Sequence, residues 1–240
     1  MQIKVLENYA ELSECGAKII AECVKQKPNA VLGFATGATP EGVYACLTQM
    51  YREGKLDFSS VTTVNLDEYY PISPEDPQSY RTFMEEHFFR QVNIDPANTH
   101  LPSGNAPDPV EEAERYEALL SSLGYADLQL LGVGHNGHIG FNEPAEALTV
   151  ATHLTPLTES TLQANSIYFT DRPMPTEALT MGMASILRAR KILLLVSGKG
   201  KHAALARLLE GEITTECPAT FLLLHPDCTV LCDRAAYTGE

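Results

Sequence analysis

One short stretch, Gly132-Val133-Gly134-His135-Asn136-Gly137-His138-Ile139-Gly140-Phe141-Asn142-Glu143-Pro144, brings two histidines and a carboxylate together among glycines. Imidazole titrates near neutral pH, and a carboxylate bonded to one ring nitrogen leaves the other free for acid–base work. His138 inside the glycine cluster, oriented by Glu143, fits such a relay, while His135 is read as facing solvent. The same residues allow other readings. His135, His138 and Glu143 form a His-x-x-His plus carboxylate ligand set, but a glycine-rich loop holds ligands loosely unless something else fixes them. Gly132, Gly134 and Gly137 satisfy G-x-G-x-x-G after a strand, with Glu159 about where a ribose-binding acid belongs. That fingerprint must open a helix, and Gly140 and Pro144 break any helical period, so nicotinamide binding is rejected. A plain structural turn with incidental histidines is the remaining alternative.

Three other places gather polar groups after apolar runs. Thr36-Gly37-Ala38-Thr39-Pro40 reads as a strand-to-helix turn whose free N–H groups could cradle phosphate; it is not a Walker loop, since no Lys-Ser/Thr follows. Asn65-Leu66-Asp67-Glu68-Tyr69-Tyr70 ends a β-rich run in two carboxylates. Alternation puts Asp67 and Glu68 on opposite faces, so at most one serves a given pocket as a general base. Ser197-Gly198-Lys199-Gly200-Lys201-His202 places two lysines at a further strand-to-helix turn, which in so acidic a chain suggests a bound phosphate or carboxylate. Taken singly, each also reads as an ordinary turn, cap or solvated helix start.

The elements that must position these residues alternate. Candidate strands are Gln2–Leu6, Ala30–Ala35, Val61–Leu66, Leu128–Val133, Lys191–Val196, Thr220–Leu224 and Thr229–Cys232. Helical spacing occupies Ala10–Lys25, Pro40–Tyr51, Ser79–Gln91, Pro109–Leu123 and Lys199–Leu209. Continuous runs such as LQLLGVG and KILLLVSG suit strands covered on both faces, so the expectation is an α/β fold: one doubly wound, mostly parallel, Rossmann-like sheet with helices on both faces. Ligands of such sheets sit beyond the carboxyl ends of the strands, where all four polar clusters fall. His138 to about Ser166, Thr-rich and without a clear period, reads as a loop or lid. Asp108, Glu111, Glu112, Glu114 and Glu117 read as the solvated face of one helix.

Composition narrows the class. The chain has 240 residues, 44% hydrophobic and 20% charged, which excludes disorder, collagen and coiled coil and favours one domain over 1–240. Seventeen basic against 31 acidic residues give −14, so phosphate backbones are repelled and nucleic acid is excluded as a partner. No run approaches a membrane span, and charges through Met1–Lys25 argue against a signal peptide, so no membrane partner is expected. Six cysteines without C-x-x-C fit a reduced cytoplasm, Cys228 and Cys232 sharing one strand face as core.

In order along the chain, TGATP, VNLDEYY with DPQSY, GVGHNGHIGFNEP, ALTMG, and SGKGK with LLEG resemble the signature blocks of the glucosamine-6-phosphate deaminase (isomerase) family. The resemblance runs from about Val31 to Arg234; TGATP is shared in outline with 6-phosphogluconolactonases. It implies conversion of glucosamine 6-phosphate to fructose 6-phosphate with release of ammonia, in amino-sugar (N-acetylglucosamine) catabolism, by a cytoplasmic deaminase and isomerase classed with the hydrolases. No metal or organic cofactor is implied. Asp67 matches the base that moves the C2 proton, His138 the ring-opening group, and Glu143 its orienting carboxylate. Asn136 takes a relay position where some members have Asp, which supplies no charge and should leave the histidine less basic. Gly37, Ala38, Thr39 and Lys201 match the phosphate-binding turn and lysine.

Departures from the pattern set further expectations. Ile167 stands where the family commonly places a phosphate-binding arginine, with Lys199 and Arg172 as possible substitutes. Glu146, His153 and Thr155 fall where members activated by N-acetylglucosamine 6-phosphate carry Ser, Arg and Lys, so no such activation is expected. The chain stops soon after Asp233, without the extension of hexameric members, which suggests a monomer or small homo-oligomer acting on a sugar phosphate. A galactosamine-6-phosphate deaminase, a lactonase, a non-catalytic sugar-phosphate-binding module and a metal-dependent hydrolase are the alternatives. The Asp67 base argues against a lactonase, which needs no C2 proton abstraction.

Overall fold

The computed structural model describes residues 1–170 and 172–240. Among the described residues the strands are, in chain order, β1 (Gln2–Leu6), β2 (Val31–Phe34), β3 (Thr62–Asn65), β4 (Asp67–Tyr70), β5 (Thr99–His100), β6 (Leu128–Leu131), β7 (His153–Pro156), β8 (Glu177–Thr180), β9 (Ile192–Val196) and β10 (Cys228–Asp233). Seven build a parallel sheet in the order β1-β10-β9-β6-β2-β3-β5. The helices are α1 (Tyr9–Gln26), α2 (Ala38–Arg52), α3 (Tyr80–His87), α4 (Pro109–Leu123), α5 (Glu159–Asn165), α6 (Met183–Leu187), α7 (His202–Leu209) and α8 (Arg234–Thr238).

Period-two alternation in the central strands divides the core into two layers. Leu32, Phe34, Leu193, Leu195 and Leu231 pack with Leu12 and Ile20 of α1, Val43, Tyr44 and Leu47 of α2, and Met84 of α3. Val31, Leu131, Leu194, Val196 and Val230 pack with Tyr116 and Leu120 of α4, Ile186 of α6, Leu205 and Leu208 of α7, and Ala236 of α8. Helices on both faces are the expected doubly wound α/β arrangement. Cys228 and Cys232 are buried in the second layer with free thiols.

A second, smaller sheet stands beside the first and is absent from the reading of apolar runs: β4, β8 and β7 pair antiparallel in the order β4-β8-β7. Its strands are short and polar, so they carry no apolar signature. The chain enters it at Leu66, whose N–H donates to Phe34 O at 3.1 Å and whose carbonyl accepts from Met181 N at 2.7 Å. That single residue spans the two sheets.

Four local expectations are corrected. Thr220–Leu224 lies in a 3₁₀ helix, Pro218–Leu224, because Pro218 and the i→i+3 bonds Thr220 N to Cys217 O and His225 N to Leu222 O wind it tightly. The segment read as loop or lid contains β7 and α5, the latter capped by Thr158 accepting from Thr161 N. Lys199–Leu209 begins with a 3₁₀ turn, Lys199–Lys201, before α7. The acidic face of α4 is not wholly solvated: Glu112 is buried against Arg115, and Glu117 accepts from Thr152 N and Oγ1 and from Ser185 Oγ.

Candidate active site

After β2 the sheet grows to one side through β3 and β5, and then to the other through β6, β9 and β10. The carboxyl ends of β2 and β6 therefore flank the topological switch point, where two loops diverge and leave a crevice. The Gly37 turn follows β2, the His138 loop follows β6, and the Lys201 turn follows β9. A Cβ at Gly37, Gly132 or Gly198, one at each of these strand ends, would meet nothing within 4 Å, so the floor of the crevice is open.

At the β2 turn, Gly37 has φ 93°, a conformation that favours glycine, and it aims the first N–H groups of α2 outward with no side chain capping them. Tyr9 of α1 pins this end by donating to Ala38 O at 2.9 Å and accepting from Gly42 N at 2.8 Å. At the β9 turn, Asp233 accepts from Ser197 Oγ at 2.5 Å, Gly198 N at 3.0 Å and Ala236 N at 2.8 Å, tying the turn to the start of α8. Lys201 is half-buried, and burial lowers its pKa. Two donor groups for an anion thus stand on strands either side of β6.

The glycines of the β6 loop admit close contacts. A Cβ at Gly134 would stand 2.3 to 2.4 Å from three ring atoms of His138, and one at Gly137 would stand 2.3 Å from Cys217 Sγ. Gly134 N donates to His138 O at 2.9 Å, and Ala219 N to Gly137 O at 2.8 Å. His138 Nδ1 lies 3.1 Å from Glu143 Oε1, off the line of a well-formed hydrogen bond. Glu143 Oε2 accepts from Asn136 Nδ2 at 2.7 Å, Thr161 Oγ1 donates to Oε1, and Asn136 Oδ1 accepts from His138 N at 3.2 Å. Burial alone would raise the Glu143 pKa, but His138, Thr161 and Asn136 outweigh it and hold the carboxyl at about 2.

The end of this loop docks on the small sheet. Phe141 N donates to Thr180 Oγ1 at 3.1 Å, and Asn142 Nδ2 donates to Met181 O at 2.8 Å. Gly140, at φ 58°, lets the backbone close on Asp67: a Cβ there would lie 3.3 Å from Oδ2. Asp67 is 6% exposed, and burial, then the Glu68 charge, pushes its carboxyl up to about 8. Glu68 serves a different purpose, accepting from Tyr69 N and Tyr80 N at 2.9 Å and from Arg81 N at 3.0 Å, which holds the start of α3; burial still raises its carboxyl, to about 7, against those three donors. The expected opposition of Asp67 and Glu68 is what the strand delivers.

Asp67, Asn136, His138, Glu143, Gly37, Ala38, Thr39 and Lys201 all lie at this edge. Ile167 is 67% exposed in a 3₁₀ turn after α5. Arg172 pairs with Asp76 and lies over the Phe169 ring at 5.6 Å. Among the described residues no three His, Cys, Asp or Glu side chains gather as metal ligands. A surface hollow along α3, lined by Pro74, Glu75, Arg81, Thr82, Glu85 and Arg90, contains none of the strand-end groups and has no part in this site. Sequence reasoning missed Thr161, Asp233, Thr180 and Tyr9. Asp233 alone carried a signal, as an acid closing an apolar strand; the others are distant in sequence and ordinary in type.

Free helix N–H groups and a lysine on the same sheet edge as a buried carboxylate and an imidazole are the equipment of an α/β enzyme that moves protons on a phosphorylated small molecule. The family described as glucosamine-6-phosphate isomerases/6-phosphogluconolactonase matches residues 7–231, and the chain belongs to it. It is similar to the glucosamine-6-phosphate deaminases of Halothermothrix orenii, 51% identical over 98% of both chains, and Clostridium beijerinckii, 50% identical over 98% of this chain and 97% of that one. Among solved structures, a glucosamine-6-phosphate deaminase described as monomeric superposes with a TM-score of 0.97 at 48% identity over the whole of both chains. A 6-phosphogluconolactonase from Trypanosoma cruzi, 19% identical over 98% of this chain and 95% of that one with a TM-score of 0.79, shares the fold.

The expected placement among hydrolases is withdrawn. The relatives at about half identity are named deaminases; the matched family description spans both the isomerases and 6-phosphogluconolactonase, but the solved lactonase is only 19% identical and is a likeness of fold.

Proposed function

We propose that this enzyme converts glucosamine 6-phosphate and water to fructose 6-phosphate and ammonia, the whole chain, 1–240, acting as one catalytic domain. The observation that carries the reading is the approach of the buried Asp67 carboxylate to the loop that holds the His138–Glu143 pair, on the sheet edge that also bears the Gly37 turn and Lys201. Identity near 50% to named deaminases supports the substrate.

The N–H groups of Ala38 and Thr39, freed by Gly37, hold the phosphate with Lys201. His138, oriented by Glu143, takes the proton of the anomeric hydroxyl and returns one to the ring oxygen, opening the ring. Asp67 then removes the C2 proton, giving an enolamine, and delivers a proton to C1. The product is a 2-imine, to which water adds as ammonia leaves. Each step is a positioned proton transfer, and held geometry supplies most of the acceleration. Asn136 links Glu143 to the loop backbone and so keeps the relay in register.

The reading extends to the surroundings. A chain at −14 steers away from nucleic acid, and no described helix is long and apolar enough to cross a membrane. We place the enzyme in the cytoplasm, as a monomer, with no activation by N-acetylglucosamine 6-phosphate. The deciding experiment incubates the protein with glucosamine 6-phosphate or galactosamine 6-phosphate, with and without chelator, and measures ammonia and ketose phosphate. Equal yields from the gluco epimer, unaffected by chelator, are expected; release from neither sugar overturns the reading.

A further inference from the structure

The strand order β9-β6-β2 has a consequence for the anion end of the site. Lys201 follows β9 and the Gly37 turn follows β2, so an anion held by both must lie across the loop that leaves β6. That loop begins with glycines, and its first long side chain is His135. The His135 ring stands against the Lys201 turn: a Cβ at Gly200 would lie 3.1 Å from Nε2 and 3.2 Å from Cδ2. Gly200 therefore makes room for this imidazole, rather than for a turn of its own. The ring is exposed, and the titratable groups facing it are Lys201 and His138, on its own loop; partial loss of hydration and then these two groups lower its pKa.

Charge accounting gives that ring a purpose. A phosphate monoester carries nearly two negative charges at neutral pH. Lys201 supplies one positive charge and the end of α2 about half of another. The remainder has no fixed cation among the four residues assigned to the phosphate. We propose that His135 is a further phosphate-binding residue of this enzyme, taking a proton from solvent as the substrate's phosphate dianion arrives and donating through its ring to a phosphate oxygen. With the anion in place between Lys201 and His135, the repulsion that keeps the ring neutral is replaced by attraction, so binding and proton uptake are linked. The inference rests on the proposed phosphate end of the site, but not on the chemistry at C2.

Two measurements separate it from that chemistry. In steady-state assays with glucosamine 6-phosphate, His135→Asn should raise KM about tenfold at pH 7 with kcat changed less than threefold, the pattern of a lost charge-assisted contact made equally in ground and transition states. Titration calorimetry with glucitol 6-phosphate, which has neither ring nor amine, in buffers of low and high ionisation enthalpy reads protons directly. Wild type should take up a fraction of a proton at pH 7.5 that His135→Asn lacks. An unchanged KM together with equal proton uptake in the two proteins overturns the assignment. If wild type binds glucitol 6-phosphate with His135-dependent uptake yet releases no ammonia from glucosamine 6-phosphate, the assignment of His135 stands and the deaminase reading falls.

Discussion

Asp67 and Glu143 show one residue type driven in opposite directions by surroundings. Glu143 accepts from Asn136 and Thr161 and faces His138, so it stays ionised, its pKa held to about 2. Asp67 sits at a strand end with little solvent beside a second acid and is pushed up to about 8. A group so raised is a strong base once ionised, and kcat/KM should climb with pH toward about 8. The same shift costs stability. Below about pH 4 the folded and unfolded forms both hold the proton; between there and about 8 only the folded form does, so the chain loses stability as pH rises through that window. Asp67→Asn removes this penalty. It should lower kcat by about 10³-fold and abolish C2 hydrogen exchange with deuterated solvent while sugar phosphate still binds. Its melting temperature should exceed that of wild type by roughly 2–8 °C at pH 8, and by less at pH 5. Near-native turnover would remove Asp67 from the mechanism.

At the scale of elements, the turns rather than the strands hold the geometry. The β6 loop keeps His138 in place by laying its ring where Gly134 has no Cβ. In Gly134→Ala the new methyl has to displace the imidazole from Glu143, because the atoms it meets belong to the catalytic ring. Turnover of glucosamine 6-phosphate should fall at least about 10²-fold, with little change in affinity for glucitol 6-phosphate. Equal turnover in calorimetric assay would show that the ring position is not critical. Asp233 serves both the Ser197-Gly198 turn and the start of α8. Asp233→Ala should cost about 1–3 kcal/mol in urea unfolding, since it leaves several donors unpaired, and should raise KM by loosening the turn that carries Lys201. A variant with wild-type KM would detach that turn from phosphate binding. The strip from Phe141 to Asn142 docks on β8 and couples the two sheets, so movement of one against the other would separate base from imidazole.

For the whole molecule, the central sheet was legible because its strands are covered on both faces and read as continuous apolar runs, as at Ile192–Val196. The solved relative described as monomeric superposes over its full length, and the substrate curve of an uncoupled monomer is hyperbolic. Sedimentation should give a single species near 26.2 kDa, and velocity against glucosamine 6-phosphate should be unchanged by N-acetylglucosamine 6-phosphate; a leftward shift would reveal an activator site. The α/β class, the glycine turn at Gly37 and the opposition of Asp67 and Glu68 could be read from the sequence, because they follow from local periodicity, from glycine's dihedral freedom and from strand alternation. Packing between distant segments makes β4, β7 and β8 a second sheet, sets Glu68 on the start of α3 while Asp67 stays unspent, adds Thr161 to the Glu143 relay, and stands His135 against the Lys201 turn. Those depend on contacts between residues far apart in the chain, such as Glu143 with Thr161 and Asp67 with Thr180, where the side chains are ordinary in type and only packing brings them together.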